Sequence, residues 1–118
     1  MKGTRLISIW LIFILVSCTD ASIVSGLYNG KMYASDTLNV TITVSEVNKN
    51  YIKIDMIDSL DQQFIHFVSL TKTGNNAYDL DDNDPLGIAY LHGYYFEGFM
   101  NFYYSNGTTS YWVQSQKK

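Results

Sequence analysis

Three features of the 118-residue sequence predict an all-β fold, an up-and-down barrel of about eight antiparallel strands. Apolar and polar residues alternate along most of the chain beyond residue 22, and helical spacing never holds for long. Short turn-forming clusters break that alternation repeatedly. Nowhere is there room for the long crossover that parallel strands require. Closing such a meander removes its sheet edges. A two-sheet β-sandwich is the alternative closure.

The chain opens with a secretory leader. Lys2 and Arg5 form a basic start, Leu6 to Val16 is apolar apart from Ser8, and small Ser17 precedes Cys18. A membrane-spanning helix needs about 20 apolar residues, and Asp20 ends this run earlier. The tetrapeptide Leu15-Val16-Ser17-Cys18 resembles the lipobox of bacterial envelope lipoproteins. That resemblance implies cleavage before Cys18 and a lipid on its sulfur. Residues 1–17 are then a signal peptide, 18–22 a lipidated tether and 23–118 a single β-barrel domain. It also implies a membrane as partner. Thr19, rather than an acid, follows Cys18, which in such lipoproteins favours the outer membrane. An ordinary leader with an incidental cysteine, or an uncleaved anchor, is the alternative.

The strands follow in order. The first, β1, is expected from about Ile23 to Ala34, with Val24, Gly26, Tyr28, Gly30 and Met32 on one face. In β2, Leu38, Val40, Ile42 and Val44 alternate with Asn39, Thr41, Thr43 and Ser45. After Asn48-Lys49-Asn50, β3 sets Ile52, Ile54 and Met56 against Tyr51, Lys53 and Asp55. Asp58-Ser59-Leu60-Asp61 leads to β4, Phe64 to Leu70, apolar on both faces. A short β5 is expected around Ala77 to Leu80, β6 from Leu86 to about Tyr95, and β7 from Phe99 to Tyr104. Asn106-Gly107 predicts a type I′ hairpin into β8, Ser110 to Gln116. Gly26-Leu27-Tyr28-Asn29-Gly30-Lys31-Met32, the alternating strands and the ending from Phe102 to Trp112 resemble small lipocalin-like (calycin) barrels. Gly26-Leu27-Tyr28 stands where lipocalins carry Gly-x-Trp, and no helix pattern follows β8.

Composition excludes several functions. Without Lys2 and Arg5 the chain from Cys18 onward has six lysines, no arginine and eleven acids, a formal charge of −5. Arginine is the preferred bidentate grip on phosphate, and nucleic-acid binding rests on counterion release by cationic surfaces. Nucleic acid is therefore not an expected partner. Cys18 is the only cysteine, so once acylated it leaves no thiol for disulfide, metal or nucleophilic chemistry. His66 and His92 sit on separate strands without metal-ligand spacing and read as structural residues. No catalytic motif is present, so neither an enzyme nor a cofactor is expected.

The remaining candidates are acidic, aromatic or sites of modification. Asp79 to Asp84 begins like a calcium loop, but Asp84 replaces its glycine and Tyr90 its final glutamate. It reads as a solvated acidic turn, with weak Ca²⁺ binding as the alternative and no metal site assigned. Parity of a meander places Asp36, Asp58, Asp61, Asp81, Asp82 and Asp84 at the end away from the N-terminus. That acidic rim is a candidate site for a cationic partner or cation. Lys49, Lys72, Lys117 and Lys118 gather at the opposite end, toward the lipid. Asp36-Thr37-Leu38 and Asp58-Ser59-Leu60 resemble bacterial O-glycosylation acceptors, with Thr37 and Ser59 as the modified residues. Of the ten rings from Tyr90 to Trp112, most are expected in the core or in cross-strand pairs. A Tyr/Trp surface for sugars or a partner is the second reading.

The leading expectation is a non-catalytic, membrane-anchored module that binds a protein or glycan. A carrier of one small apolar ligand and an inhibitor of an envelope-targeting enzyme are the alternatives. Eight strands leave a lumen just wide enough for side chains or one small ligand. Bulky inward Tyr28, Met56, Phe64 and Phe102 favour filling.

Overall fold

Each alternating segment becomes a strand, and the strands pair in sequence order. The computed structural model describes residues 19–82 and 89–118. Its elements are α1 (Asp20–Val24), β1 (Gly26–Tyr33), β2 (Thr37–Asn48), β3 (Tyr51–Asp58) and β4 (Gln63–Gly74), followed by β5 (Ala77–Asp81), β6 (Tyr90–Phe96), β7 (Phe99–Ser105) and β8 (Ser110–Lys117). Every neighbouring pair is antiparallel, and β8 pairs back onto β1 to close the barrel. The sandwich alternative is excluded. Asn29-Gly30 lies within β1, paired to β2 and β8, so the parity of the meander holds.

Alternation decides what is inside. Val40, Ile42 and Val44 of β2, and Ile52, Ile54 and Met56 of β3, are buried. They join Tyr28, Met32, Tyr78, Leu80, Leu91, Met100, Phe102 and Val113 in one core. Burying each such side chain contributes about 1.5–3 kcal/mol. Phe64 is half-buried against this core. The outward partners in β2, Thr41 and Thr43, are exposed.

Several boundaries differ from expectation. The first strand begins at Gly26 rather than Ile23, because Asp20–Val24 forms a helical turn. Thr19 and Ser22 build a capping box there: Ser22 N donates to Thr19 Oγ1 (3.1 Å), and Thr19 N donates to Ser22 Oγ (2.9 Å). Residues 20–22, expected in a tether, are thus part of the folded unit. β2 and β4 run longer than expected, past register shifts near Glu46/Asn48 and Lys72/Gly74. Leu86 to Ile88, expected at the start of β6, lie outside the described residues. The Asn106-Gly107 segment is not a two-residue type I′ turn. Ser105 pairs with Ser110 across a four-residue loop, and only Gly107 of the pair has positive φ. Asn106 Oδ1 instead accepts from the amides of Thr108 (3.1 Å) and Thr109 (2.8 Å). That local side-chain capping outcompetes the primed turn.

α1 closes the end of the barrel that holds both described termini. Its residues Ala21 and Val24 are fully buried, and Ala21 N donates to Lys49 O (2.9 Å). Tyr28 OH donates to Val24 O, Tyr78 OH to Asp20 Oδ1 (3.1 Å), and Lys117 Nζ to Ile23 O (2.9 Å). Two glycines let neighbouring strands pack closely. A Cβ on Gly30 would lie 2.2 Å from Gln114 O, and one on Gly93 2.2 Å from Asn101 O. Neither strand could approach its neighbour so closely with a side chain there.

Candidate functional site

Chemistry-bearing side chains collect in two places, the end of the barrel opposite α1 and one side of its outer wall.

At the end opposite α1, the inner wall turns polar and aromatic. Phe64 packs edge-on to Tyr104 (5.7 Å between ring centroids) and tilted to Tyr111 (5.8 Å), while Tyr104 meets His66 at 5.8 Å. His66 Nε2 lies 2.8 Å from Asp82 Oδ2, both largely buried, without aligned hydrogen-bond geometry. Asp58 is buried too. Its Oδ1 accepts from Leu60 N and Gln62 N (both 2.9 Å), fixing the β3–β4 turn. Its Oδ2 has no hydrogen-bond partner among the described residues. Burial pushes the Tyr104 hydroxyl pKa up, with Tyr111 and Asp82 adding to the rise.

The acidic rim is therefore only partly a rim. Asp36 and Asp61 are exposed at this end, and Asp81 sits there on the outer side, 3.0 Å from His92 Nδ1. Asp58 and Asp82 point inward and serve the turn and His66. Asp84 lies outside the described residues. No group of three or more His, Cys, Asp or Glu side chains among the described residues is placed to hold a metal ion. Thr37 and Ser59 are exposed at the same end. Lys49, Lys72, Lys117 and Lys118 sit at the α1 end, as the parity argument expects. Cys18 lies outside the described residues.

The outer wall of β5–β8 carries the larger constellation. Of the ten rings from Tyr90 to Trp112, Tyr95, Phe102 and Tyr104 are buried and Tyr111 is half-buried. The other six face outward, several of them in cross-strand pairs: Tyr103 stands opposite Trp112, and Phe96 opposite Phe99. Period-two alternation puts Tyr90, His92, Tyr94 and Phe96 on the outside of β6, and register extends them into rows. One row runs His92, Tyr103, Trp112 and Tyr33; the next runs Asp79, Tyr94, Asn101, Gln114 and Lys31; the third runs Phe96, Phe99, Gln116 and Asn29. Tyr103 meets Trp112 edge-on at 5.2 Å, and Trp112 is 61% exposed. Asn101 Nδ2 donates to Tyr94 OH (2.9 Å). Two shallow hollows of about 330 and 320 Å³ lie along these rows and share Asn101 and Gln114.

The aromatic residues of this wall were visible in the sequence, but their alignment with Asn29, Gln114 and Gln116 was not. The alternation Trp112-x-Gln114-x-Gln116 was the available signal. Fold and wall define a closed eight-stranded up-and-down barrel with an aromatic and amide outer face. No protein-family model, curated protein or solved structure was found to match the chain.

Proposed function

We propose that this protein is a non-catalytic, membrane-anchored binding module that presents the outer wall of β6–β8 to a protein or glycan. The observation that carries the reading is the row structure of that wall, where exposed rings flank side-chain amides. Asn29, Gln114 and Gln116 make no side-chain hydrogen bond among the described residues, so their donors and acceptors face solvent. Exposed aromatics of this density mark interaction surfaces. The filled lumen, with Tyr28, Met56 and Phe102 inward, favours a partner outside the barrel over a ligand within it. Anchoring rests on Leu15-Val16-Ser17-Cys18, with the outer membrane as the proposed location.

Two measurements test this. A photo-reactive amino acid placed at Gln114 in cells should give a specific adduct, while the same probe at Thr41 should not. Equal labelling at both positions would refute the wall as the binding surface. Fatty-acid labelling should mark the wild type and be lost in Cys18→Ala; an unlabelled wild type would refute the anchor.

A further inference from the structure

The middle row of the wall has the chemistry of a sugar site. Resting on the binding-module reading, we propose that the groove centred on Asn101 and Gln114 binds a neutral oligosaccharide. Protein interfaces have an apolar centre and a polar rim. This wall interleaves the two instead: Tyr94, Asn101 and Gln114 share the middle row, Phe96, Phe99, Gln116 and Asn29 the third, and Tyr103 and Trp112 the first. Trp112 and Tyr103 line one side, and Phe99 forms the other. Such rings offer flat faces to the C–H surface of a pyranose, while a planar amide supplies a donor and an acceptor spaced for neighbouring hydroxyls.

Three details sharpen the assignment. The two hollows share Asn101 and Gln114, so they adjoin at the middle of the wall. The side-chain amide of Gln114 makes no hydrogen bond among the described residues, whereas Asn101 donates to Tyr94 OH and accepts from Ser115 N. The middle row runs from Asp79 to Lys31 with only uncharged residues between, so its centre has no net charge to attract a phosphate or a polyanion. One carboxylate, Asp79, lines the hollow it shares with Asn101 and Gln114, at the end of the row away from Lys31.

The test uses the full chain in mild detergent. Trp10→Phe leaves Trp112 as the sole indole, because the sequence has only two tryptophans. The probes are neutral tetra- to hexasaccharides of glucose, galactose, mannose and N-acetylglucosamine, with polygalacturonate as the charged control. At least one neutral series should change Trp112 emission saturably, and polygalacturonate should not. Gln114→Ala should weaken that binding about fivefold or more, the loss expected of one hydrogen-bonding group. Thr41→Ala should leave it unchanged. Silence of every neutral sugar, or binding indifferent to Gln114→Ala, would overturn the proposal. Silence accompanied by a protein adduct at Gln114 would overturn the sugar assignment alone. Silence with no adduct would remove the binding-module reading as well.

Discussion

β2 and β8 are both neighbours of β1, and inside the barrel they do the same work. Val40, Ile42 and Val44 of one, and Val113 and Ser115 of the other, enter a common core. Outside they diverge. β2 shows Thr37, Asn39, Thr41, Thr43 and Ser45, short side chains that suit a pleated surface and hold nothing in particular. β8 shows Trp112, Gln114 and Gln116, which line up with rings and amides on β1 and β7. Folding constrains only the inward half of each strand, so the outward half is where two equivalent strands can acquire different roles.

The largest effects should ignore that contrast. Ile54→Ala beside β2 and Phe102→Ala beneath the β7–β8 wall both empty buried volume, and each should lose about 2–5 kcal/mol in denaturant melts. A marked disparity between them would mean that one side of the core is not packed as described. Next comes alkali. Burial raises the hydroxyl pKa of Tyr28, Tyr78 and Tyr104 above the ordinary value of 10.0; Asp20 adds to the effect at Tyr78, and other tyrosines contribute at all three. The folded pKa exceeds the unfolded one, so this contribution is intact below about pH 10 and is lost as pH rises through the folded values. Unfolding should therefore set in above about pH 10, with a late phenolate absorbance step that is smaller in Tyr28→Phe. Full tyrosine ionisation in the still-folded protein would contradict this.

Smaller effects separate the two faces. Tyr103→Ala breaks the edge-on pair with Trp112 and should lose about 0.5–1.5 kcal/mol. Thr41→Ala should stay within about 0.5 kcal/mol. If the two were equal in thermal melts, the rings on the wall would contribute nothing to one another, and their clustering would need a purely external reason.

Strands β2 and β3 were legible in the sequence because one face is uniformly aliphatic and the other uniformly polar. β4 was harder to orient, since Ile65 and Phe67 are apolar yet about half exposed. α1 was missed because a five-residue helix has no periodicity to detect; its signal was Thr19 and Ser22, three apart, and the apolar Ala21 and Val24 that plug the barrel end. The candidate site was legible only in parts. Ring positions along one strand follow from alternation, but which ring faces which amide depends on register, and register depends on turn lengths. Loop geometry such as that around Asn106 is fixed by a local side-chain bond that dipeptide preferences do not encode. The acidic end was legible as a set of positions, while the inward turn of Asp58 and Asp82 depended on contacts with Gln62 and His66.

Seven of the eight ladders join strands adjacent in sequence, and only β1–β8 spans the whole domain. The barrel is thus a ribbon with a single seam, and Gly30 sits on it, close against Gln114 and Ser115. A side chain at Gly30 prises apart that ladder while leaving the other seven their own registers. The opened ribbon presents β1 on one border and β8 on the other, and each is the natural complement of its counterpart in a second molecule. Damage at this seam therefore leads toward exchanged dimers and longer head-to-tail assemblies rather than toward a simple loss of strands.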